Sequence, residues 1–576
     1  MKRRQRGAPA SWKAGAGAGC NPGGDHLRRR LREAPALVSV WLIDHAMKMP
    51  RYFHRSAWLL LLLAGPVAGA LSAGPFQLPL RSQAETSRGS GVWEAAERNV
   101  TWDAAHTALV ICDMWDKHTC AGATRRVAEM APRMNELVKK ARGQGALIIH
   151  CPSDTMKFYE GTPQRKLAQA APKVETRIPL QRWCSLDRSK ESPLPIDDSD
   201  GGCDTDSPWP KGAPYPWTRQ IATIEIHEGD AITDSAEAYY LMRQRGITNV
   251  IVMGVHLNMC VLGRPFSIRQ MVGQGQNVVL VRDLTDTMYN PRRAPFVAHC
   301  VGNDLMVDHV ERYWCPTVSS VAFLGGKAFR FAEDQRPHVV MLIGEDEYKT
   351  WETLPAFAKE NVAWRGLRVS IIQQDANNKH RFPGFTEAMR DADALVVSLR
   401  RRALAKEELD AVQAHLNAGR PLIGIRTASH GFAPRGEDAR QGESWDTFDP
   451  DVLGGNYVGH HGHGPKTEIH PFTGAENSPL LTGVKLNELI GNGSLYRVRP
   501  LKKTAGPLLV GSIEGQPAEP VAWTNRYGEK KARVFYTSLG HQDDFGNPNF
   551  RRLLLNAIFW SMEQPIPPKE ATLTRP

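Results

Sequence analysis

The chain has 576 residues, of which 41% are hydrophobic and 23% are charged, so it is a globular protein too long for a single hydrophobic core. The formal charge of +11 does not indicate a basic nucleic-acid surface, because most of it lies in a low-complexity leader. Residues 1–48 alone carry a net +7, which leaves +4 for the remainder of the chain. We therefore expect at least two domains and no nucleic-acid partner.

The first predicted element is an export signal over residues 47–73, preceded by an upstream extension, residues 1–46, that is expected to be disordered. A basic start is followed by the apolar run "AWLLLLLAGPVAGAL" and then by small residues, which is typical of a secretory signal peptide. We expect cleavage after Ala70 or Ala73 and a periplasmic or secreted protein that meets the membrane only through this signal. An uncleaved membrane anchor is the alternative.

Strand-like and helix-like segments alternate between residues 106 and 283. The apolar runs "HTALVICD", "ALIIHC", "NVIVMGV" and "NVVLVRD" predict buried strands, and "RRVAEMAPRMNELVKKARGQG" and "SAEAYYLMRQRG" have helical apolar spacing. This alternation predicts an α/β domain, over residues 95–328, with a mainly parallel sheet and helices on both faces.

A long polar insertion, residues 181–217, interrupts this domain. Its "DDSDGGCDTD" segment is acidic, but the spacing fits no EF-hand, so we expect a solvated turn and no metal. Cys20 aside, eight cysteines lie between Cys112 and Cys315, and some of them can pair in an oxidising compartment. Cys184 and Cys203 flank a Pro/Ser/Asp-rich stretch of the insertion and are the expected disulfide.

A second alternating block runs over residues 337–565. It includes the strand-like "HVVMLIG", the helix-like "AKEELDAVQAHLNAG" and a final strand, polar turn and helix, "ARVFYTSLGHQDDFGNPNFRRLLLNAIFWSM". No cysteine occurs in this block. The change in cysteine usage and the renewed alternation predict a second, separate α/β domain, again with a mainly parallel sheet and helices on both faces.

The first domain offers a candidate reactive pair. Asp113 ends one predicted strand and Cys260 follows another, and in open parallel sheets ligands bind at the carboxyl ends of strands. A cysteine at a strand-to-helix turn has nearby N–H groups that can stabilise a thiolate and an oxyanion, and Asp113 can accept its proton. A buried cysteine that only fills the core is the alternative.

The segments "TALVICDMWDKHTC" and "RGITNVIVMGVHLNMCVLGRPFSIRQM" resemble the isochorismatase-like cysteine hydrolases. The resemblance implies a three-layer α/β fold with Cys260 as the nucleophile and Asp113 as its base. It also implies a cis peptide near Val255–His256 that, with Met259, shapes the oxyanion region. No cofactor is implied, and the metal-binding aspartate-x-histidine pattern of the nicotinamidase branch is not evident.

The family's third catalytic residue, a lysine, is missing from "ATIEIHEGDAITDSAEAYYLM". His227 occupies its place by spacing. It is either a substitute that donates a hydrogen bond or carries charge, or a surface histidine beside a strand.

The second domain resembles the ThuA-like family of trehalose-utilisation proteins, which share the class I glutamine amidotransferase fold. The segments "PLIGIRTASHGF", "ESWDTFDPDVLGGNYVGHHGHG" and "RVFYTSLGHQDDFGNPNFRRLLLNAIFW" carry the resemblance. Amidotransferases have their cysteine in the turn that reads "IRTASHG" here. Neither this turn nor the rest of the domain contains a cysteine, so glutaminase chemistry is excluded. We expect a polar pocket lined by six residues: Arg426, His430, His460, His461, His463 and His541. The "GHHGHG" histidines are either metal ligands or merely polar, and we expect no metal.

Together these patterns predict an exported cysteine hydrolase that cleaves an amide-type C–N bond through a thioester at Cys260. The second domain is expected to bind a small molecule such as a carbohydrate. A non-catalytic two-domain binding protein is the alternative, which the missing lysine favours. The expected partner is a small-molecule substrate without a cofactor, and the sequence leaves a homo-oligomer open.

Overall fold

The computed structural model describes residues 74–85, 93–205, 209–210 and 213–574. The expected extension, signal segment and cleavage sites lie outside these ranges. Within them the chain forms two large sheets with flanking helices, the first mainly parallel and the second with a parallel half and an antiparallel half, which confirms the α/β class. No helix in the described ranges is long and apolar enough to cross a membrane.

The first sheet has eight strands within the described part of the chain. They are β1 (Phe76–Glu85), β2 (Trp93–Trp102), β3 (Thr107–Cys112), β4 (Leu147–Cys151), β5 (Ala231–Ile232), β6 (Asn249–Val255), β7 (Asn277–Asp286) and β8 (Thr317–Val318). Their spatial order is β2-β1-β8-β7-β6-β3-β4-β5, with β1 antiparallel to both of its neighbours and the other pairs parallel. The sheet therefore begins upstream of residue 95, the boundary expected from the sequence.

Helices flank this sheet. They are α1 (Ala121–Gly143), α2 (Met156–Tyr159), α3 (Pro163–Gln169), α4 (Glu237–Gln244), α5 (Cys260–Gly263), α6 (Ile268–Gly273), α7 (His299–Tyr313) and α8 (Val321–Leu324). Alternate residues of the central strands enter two cores, so that Val110 and Val252 pack in one, and Leu109 and Ile251 pack in the other. Strands buried on both faces explain the continuous apolar runs in the sequence.

The register of the central strands places the candidate pair at one edge of the sheet. Strands β3 and β6 are adjacent and parallel, with Cys112 opposite Gly254. Gly254 has a φ of 112°, and a Cβ there would lie 2.1 Å from the Cys112 carbonyl oxygen, so only glycine fits this approach. The segments after the two strands, which contain Asp113 and Cys260, therefore emerge side by side.

The second sheet lies between residues 338 and 537. Its strands, with a separate two-stranded ribbon, are β9 (His338–Gly344), β10 (Arg368–Gln373), β11 (Ala394–Leu399), β12 (Leu422–Ile425), β13 (Gly459–His460), β14 (Thr467–Pro471), β15 (Ile490–Gly491), β16 (Tyr496–Arg497), β17 (Gly506–Ser512), β18 (Glu519–Tyr527) and β19 (Ala532–Thr537). The sheet order is β10-β9-β11-β12-β19-β18-β17-β14-β15, and β13 pairs with β16.

The parallel part of the second sheet runs from β10 to β19, and the antiparallel strands extend it from β18 to β15. Four α-helices accompany it in the described residues: α9 (Thr350–Phe357), α10 (Phe385–Met389), α11 (Lys406–Asn417) and α12 (Pro548–Ser561). Helix α12 buries Phe550, Leu554 and Ile558 against the core on one face of this sheet, which accounts for its largely apolar sequence.

Candidate active site

Cys260 lies at the first residue of α5, directly after the turn that leaves β6. Its side chain is largely buried, with 9% of the residue exposed. The peptide bond between Val255 and His256, at the start of this turn, is cis, and the resemblance implies a cis peptide at this bond. Among the residues described, none accepts a hydrogen bond from the Cys260 backbone N–H. That N–H is therefore available as a donor beside the thiol.

Asp113 is the carboxylate beside this thiol. It is fully buried and has a φ of 46°, a left-handed backbone conformation that residues other than glycine rarely adopt. Its backbone N–H donates to the Cys151 carbonyl at 3.1 Å, and its Oδ1 accepts the Ser153 N–H at 2.7 Å. These two bonds to the end of β4 fix the carboxylate. None of the described residues donates a hydrogen bond of ordinary geometry to Oδ2.

Arg264 supplies a cation to the pair. Its Nε lies 3.7 Å from Asp113 Oδ2, and its Nη2 lies 3.3 Å from Asp154 Oδ2. The guanidinium also sits 5.7 Å from the centre of the Trp183 ring, and the side chain is 15% exposed. Arg264 was not predicted from the sequence, although it follows Cys260 by four residues, a spacing that places both on one face of a helical turn.

The three groups shift one another's pKa. Burial and, next, the Asp113 charge raise the pKa of the Cys260 thiol well above its ordinary value, while Arg264 opposes both effects. Burial also raises the pKa of the Asp113 carboxyl, and the charge of Arg264 and a hydrogen bond with Cys260 lower it. The arginine therefore favours the anionic forms of both neighbours in a site that otherwise disfavours charge.

The structure does not bring His227 into this site, which corrects the expectation from spacing. Its side chain is 48% exposed, and its Nε2 lies 3.0 Å from Glu225 Oε2. Its backbone N–H donates to Asp230 at 2.7 Å. The residue that follows β5 is Thr233, which is buried and donates to Glu237. The cation of the site is instead Arg264, from the segment that contains Cys260.

The start and the middle of the insertion contact the segment that contains Cys260. Near the start of the insertion, the Cys184 N–H donates to the Gly263 carbonyl at 2.7 Å. Further along, Asn258 Nδ2 donates to Asp198 Oδ2 at 2.8 Å and to the Met288 carbonyl at 3.1 Å. The acidic segment is therefore docked on the domain and is not the solvated turn expected from its composition.

The expected Cys184–Cys203 disulfide is wrong as well, because the insertion carries the two cysteines to different places. Cys184 Sγ lies 3.3 Å from Gln270 Oε1, on α6. Cys203 lies beside Cys120, and all eight cysteines of the described chain are free thiols.

Aromatic rings form one wall near Asp113. Trp115 stacks on Trp217 with centroids 4.5 Å apart, and Tyr215 stacks on the other side of Trp217 at 4.2 Å. His118 lies 5.5 Å from Trp217 and 4.9 Å from His256. Burial lowers the pKa of His118 to about 4, so this ring is neutral at physiological pH. The wall offers flat apolar surface next to the reactive pair.

A buried charge network contacts the turn that carries Cys260. Asp286, at the end of β7, accepts from Arg126 Nε at 2.9 Å and lies 2.8 Å from His299 Nε2. Its backbone carbonyl accepts the Leu257 N–H at 2.7 Å. Arg126 is fully buried and also donates to Asp204 of the insertion at 2.6 Å. The network therefore links α1, the insertion and the turn that carries Cys260.

In the second domain, Arg426 is the centre of the expected pocket. It directly follows β12, is buried, and has a φ of 43°. Its guanidinium lies between two aromatic rings, 4.2 Å from the centre of Tyr348 and 4.6 Å from the centre of Tyr496, and donates to the Ser538 carbonyl at 2.6 Å. The tyrosines were missed from the sequence because they lie in segments far apart in the chain.

Two of the expected histidines join Arg426 through these rings. His430 lies 6.2 Å from Tyr496 and stacks on Tyr457 at 4.5 Å, and His541 lies 5.7 Å from Tyr348. Burial, and then the charges of neighbouring arginines, lower the pKa of His430 to about 3. His430 is therefore a neutral ring in a positively charged surrounding.

The "GHHGHG" histidines are arranged differently. His460 and His463 are exposed, with ring centres 4.7 Å apart, and His461 Nε2 lies 4.0 Å from Glu519 Oε1. Within the described residues these three side chains do not converge as a metal-ligand group. Of the six expected pocket residues, the structure gathers Arg426, His430 and His541. His460 adjoins this group, with its ring centre 6.5 Å from that of Tyr496.

Comparison with known proteins assigns the second domain. Residues 340–561 match the model of the ThuA family, described as trehalose utilisation. These residues are a ThuA domain. The chain is similar to a ThuA-like protein from Bacteroides uniformis, with 17% identity and a TM-score of 0.30, over 41% of this chain and 95% of that one. A ThuA-like protein from Parabacteroides merdae has 16% identity and a TM-score of 0.32, over 42% of this chain and 98% of that one.

The part before the ThuA domain has a different set of similar structures. A cysteine hydrolase from Pseudomonas syringae pv. phaseolicola is 16% identical, with a TM-score of 0.24, over 38% of this chain and 92% of that one. No curated protein matches the sequence.

Proposed function

We propose that the first domain is a cysteine hydrolase that cleaves an amide-type C–N bond through a thioester at Cys260. The observation that carries the proposal is the mutual contact of three groups, the buried Asp113 carboxylate, the Cys260 thiol and the Arg264 guanidinium. A nucleophile, a base and a cation within one pocket are the groups that acyl transfer requires.

The proposed reaction has two halves. Asp113 takes the thiol proton as the Cys260 sulfur attacks the amide carbonyl carbon, and the resulting oxyanion is received by the free Cys260 N–H. Asp113 then gives the proton to the leaving nitrogen as the C–N bond breaks, which leaves a thioester and a free amine. Water, deprotonated by Asp113, attacks the thioester, so that the thiol is restored and a carboxylic acid is released.

Arg264 has a positioning and electrostatic role in this scheme. The thiol and the carboxyl are both buried, and burial disfavours the charged form of each. A fixed guanidinium beside them stabilises one negative charge as it passes from carboxylate to thiolate. Arg264 thereby supplies the positive charge that the family's lysine would provide. The absence of that lysine is the feature that favours a non-catalytic binding protein.

The test is a screen of small amides and acyl esters against the wild type and Cys260→Ala. Amides with an aromatic or heteroaromatic acyl group belong in the screen because of the ring wall of Trp115 and Trp217. The proposal expects turnover of at least one amide by the wild type and none by the variant. Ligand binding without turnover by either protein would instead support the non-catalytic alternative.

We further propose that the ThuA domain binds a carbohydrate or related small molecule at the Arg426 cluster. Aromatic faces beside a guanidinium and the neutral imidazole of His430 suit a polyol, which stacks on rings and accepts hydrogen bonds. Isothermal titration of the wild type and Arg426→Lys with a panel of mono- and disaccharides tests this. Binding lost in the variant supports the site, and equal binding by both proteins contradicts it.

Export is also part of the proposal, on the basis of the sequence over residues 47–73. N-terminal sequencing of the mature protein from its native host tests it. A start after Ala70 or Ala73 is expected, and a mature protein that begins upstream of residue 47 would contradict export by this signal.

A further inference from the structure

A second cluster of reactive side chains lies where the insertion meets α1. The Cys120 sulfur, the Cys203 sulfur and a carboxylate oxygen of Asp204 all lie within 4.8 Å of one another. Cys120 Sγ is 3.3 Å from Asp204 Oδ1. Cys120 is fully buried, whereas Cys203 and Asp204 are half-buried. The hydrolase scheme uses none of the three.

We propose that Cys120, Cys203 and Asp204 bind a divalent transition-metal ion of the zinc class. Thiolate and carboxylate are ligands that Zn²⁺ takes in proteins, with bonds of about 2.3 Å to sulfur and about 2.0–2.2 Å to oxygen. A sulfur and an oxygen that bind a tetrahedral ion with these bonds lie roughly 3.5–3.7 Å apart. The separation of 3.3 Å between Cys120 Sγ and Asp204 Oδ1 is slightly shorter, so a small outward movement of either side chain admits the ion.

The charges around the cluster suit a dication. Two thiolates and one carboxylate would place three negative charges around an ion of charge +2, which is costly at a half-buried site. Arg126 offsets the excess, because its Nη1 lies 2.6 Å from Asp204 Oδ2 and its side chain is fully buried. This ion pair occupies Oδ2 and leaves Oδ1, the oxygen nearer Cys120, for the metal.

The location assigns the ion a positioning role. Cys120 directly precedes α1, Cys203 belongs to the insertion, and Met259, the neighbour of the nucleophile, packs against the cluster. An ion here fastens the insertion to the domain behind Cys260 without touching the reacting atoms. Three protein ligands leave a fourth position, beside Thr205, whose hydroxyl oxygen lies 3.2 Å from Cys203 Sγ. The inference does not depend on the proposed hydrolase activity.

The test measures metal content and cobalt absorption of the full chain, purified under reductant. The wild type is expected to hold about one zinc ion per chain and, after chelation and titration with Co²⁺, to show thiolate-to-cobalt charge transfer and intense tetrahedral bands. Cys203→Ser is expected to lose most of the zinc and about half of the charge-transfer intensity, because one of two thiolates is gone. Cys184→Ser is the matched control, a half-buried cysteine outside the cluster, and should match the wild type.

A further variant, Cys203→His, keeps a metal ligand and is expected to retain zinc while losing charge-transfer intensity. Wild-type protein without bound zinc and without a cobalt–thiolate band would overturn the proposal, and this readout needs no variant to fold. Equal zinc content in the wild type and Cys203→Ser would also overturn it. So would a Cys120–Cys203 disulfide, found by peptide mapping of protein purified without reductant.

Discussion

Arg264 and Asp113 form an ion pair at the edge of the first sheet, with 3.7 Å between guanidinium Nε and carboxylate Oδ2. Arg264 belongs to the segment that contains Cys260, and Asp113 directly follows the neighbouring strand, so the pair joins the two halves of the candidate site. The pair decides between a hydrolase with a complete set of groups and a relic that has lost its cation.

The first prediction concerns the charge of Arg264. Arg264→Gln removes the cation but keeps a hydrogen-bonding side chain, and we expect kcat/KM for an amide substrate to fall about 100-fold. Arg264→Lys restores the charge and should recover part of the loss. His227→Ala is the control and should match the wild type, because that side chain is exposed and faces Glu225. A large loss in His227→Ala with none in Arg264→Gln would reverse the assignment.

The second prediction concerns the pH dependence of the thiol. Burial and the Asp113 charge raise the pKa of Cys260, so the thiolate fraction is small at neutral pH and rises as pH increases. Alkylation of Cys260 by iodoacetamide in the free protein should therefore keep accelerating above the pH at which an unperturbed cysteine, with a pKa of about 8.5, has levelled off.

Asp113→Asn separates reactivity from turnover. The variant lacks the neighbouring negative charge, so the pKa of Cys260 falls and alkylation at a fixed neutral pH should become faster. Amide turnover should fall by about 100-fold or more, because no base remains to take the proton from the thiol and return it to the leaving group. Alkylation that slows in parallel with turnover would show that Asp113 lowers the pKa of Cys260 instead.

The site and fold were predictable from the sequence to different degrees. The two α/β domains and the meeting of Asp113 with the Cys260 segment follow from apolar periodicity and from the geometry of parallel strands. Strand β1 also had a readable signal, since Phe76, Leu78 and Leu80 alternate with more exposed residues. The expected boundary at residue 95 missed that alternation.

Positions in irregular segments were not predictable. His227 takes the lysine's place only by counting along residues 213–230, where the described chain has no named strand before β5, and a loop path cannot be obtained by counting. The partner of Cys203 depends in the same way on the route of the insertion, which docks by side-chain contacts such as Asn258 with Asp198. Neither the position of His227 nor the route of the insertion can be obtained from spacing along the chain.

The third prediction concerns Asn258, which fastens the insertion. Its side chain makes three hydrogen bonds: two donated, to Asp198 and to the Met288 carbonyl, and one accepted from the Met288 N–H at 2.9 Å. Asn258→Ala leaves the buried Met288 groups and the half-buried Asp198 without this partner and should lower the free energy of unfolding by roughly 1–3 kcal/mol. Asn290→Ala, whose bond to Asp200 is exposed, should change it by no more than about 0.5 kcal/mol.

Denaturant unfolding of both variants, with limited proteolysis of the insertion, checks this prediction. Asn258→Ala should be cut faster within residues 181–217 than the wild type. Equal stability and equal cutting of the two asparagine variants would mean that the contact with Asp198 does not hold the insertion.

The fourth prediction concerns the stacking of Arg426. A planar guanidinium lies between Tyr348 and Tyr496, and a lysine ammonium cannot stack on two rings and reach the Ser538 carbonyl together. Arg426→Lys should lower the free energy of unfolding by about 1–3 kcal/mol. Arg440→Lys, an exposed position in the same domain, is the control and should be neutral. Equal unfolding midpoints for the two variants would contradict the stacking role.

The measurement that tests the central claim most directly is the intact mass of the protein, quenched with acid during turnover of an activated amide or ester. The hydrolase account predicts a species heavier than the protein by the mass of the acyl group, mapped to the peptide that contains Cys260 and absent from Cys260→Ala. Arg264→Gln should form the same adduct more slowly. Substrate turnover with no adduct under any quench, or an adduct that persists in Cys260→Ala, would contradict a thioester at Cys260.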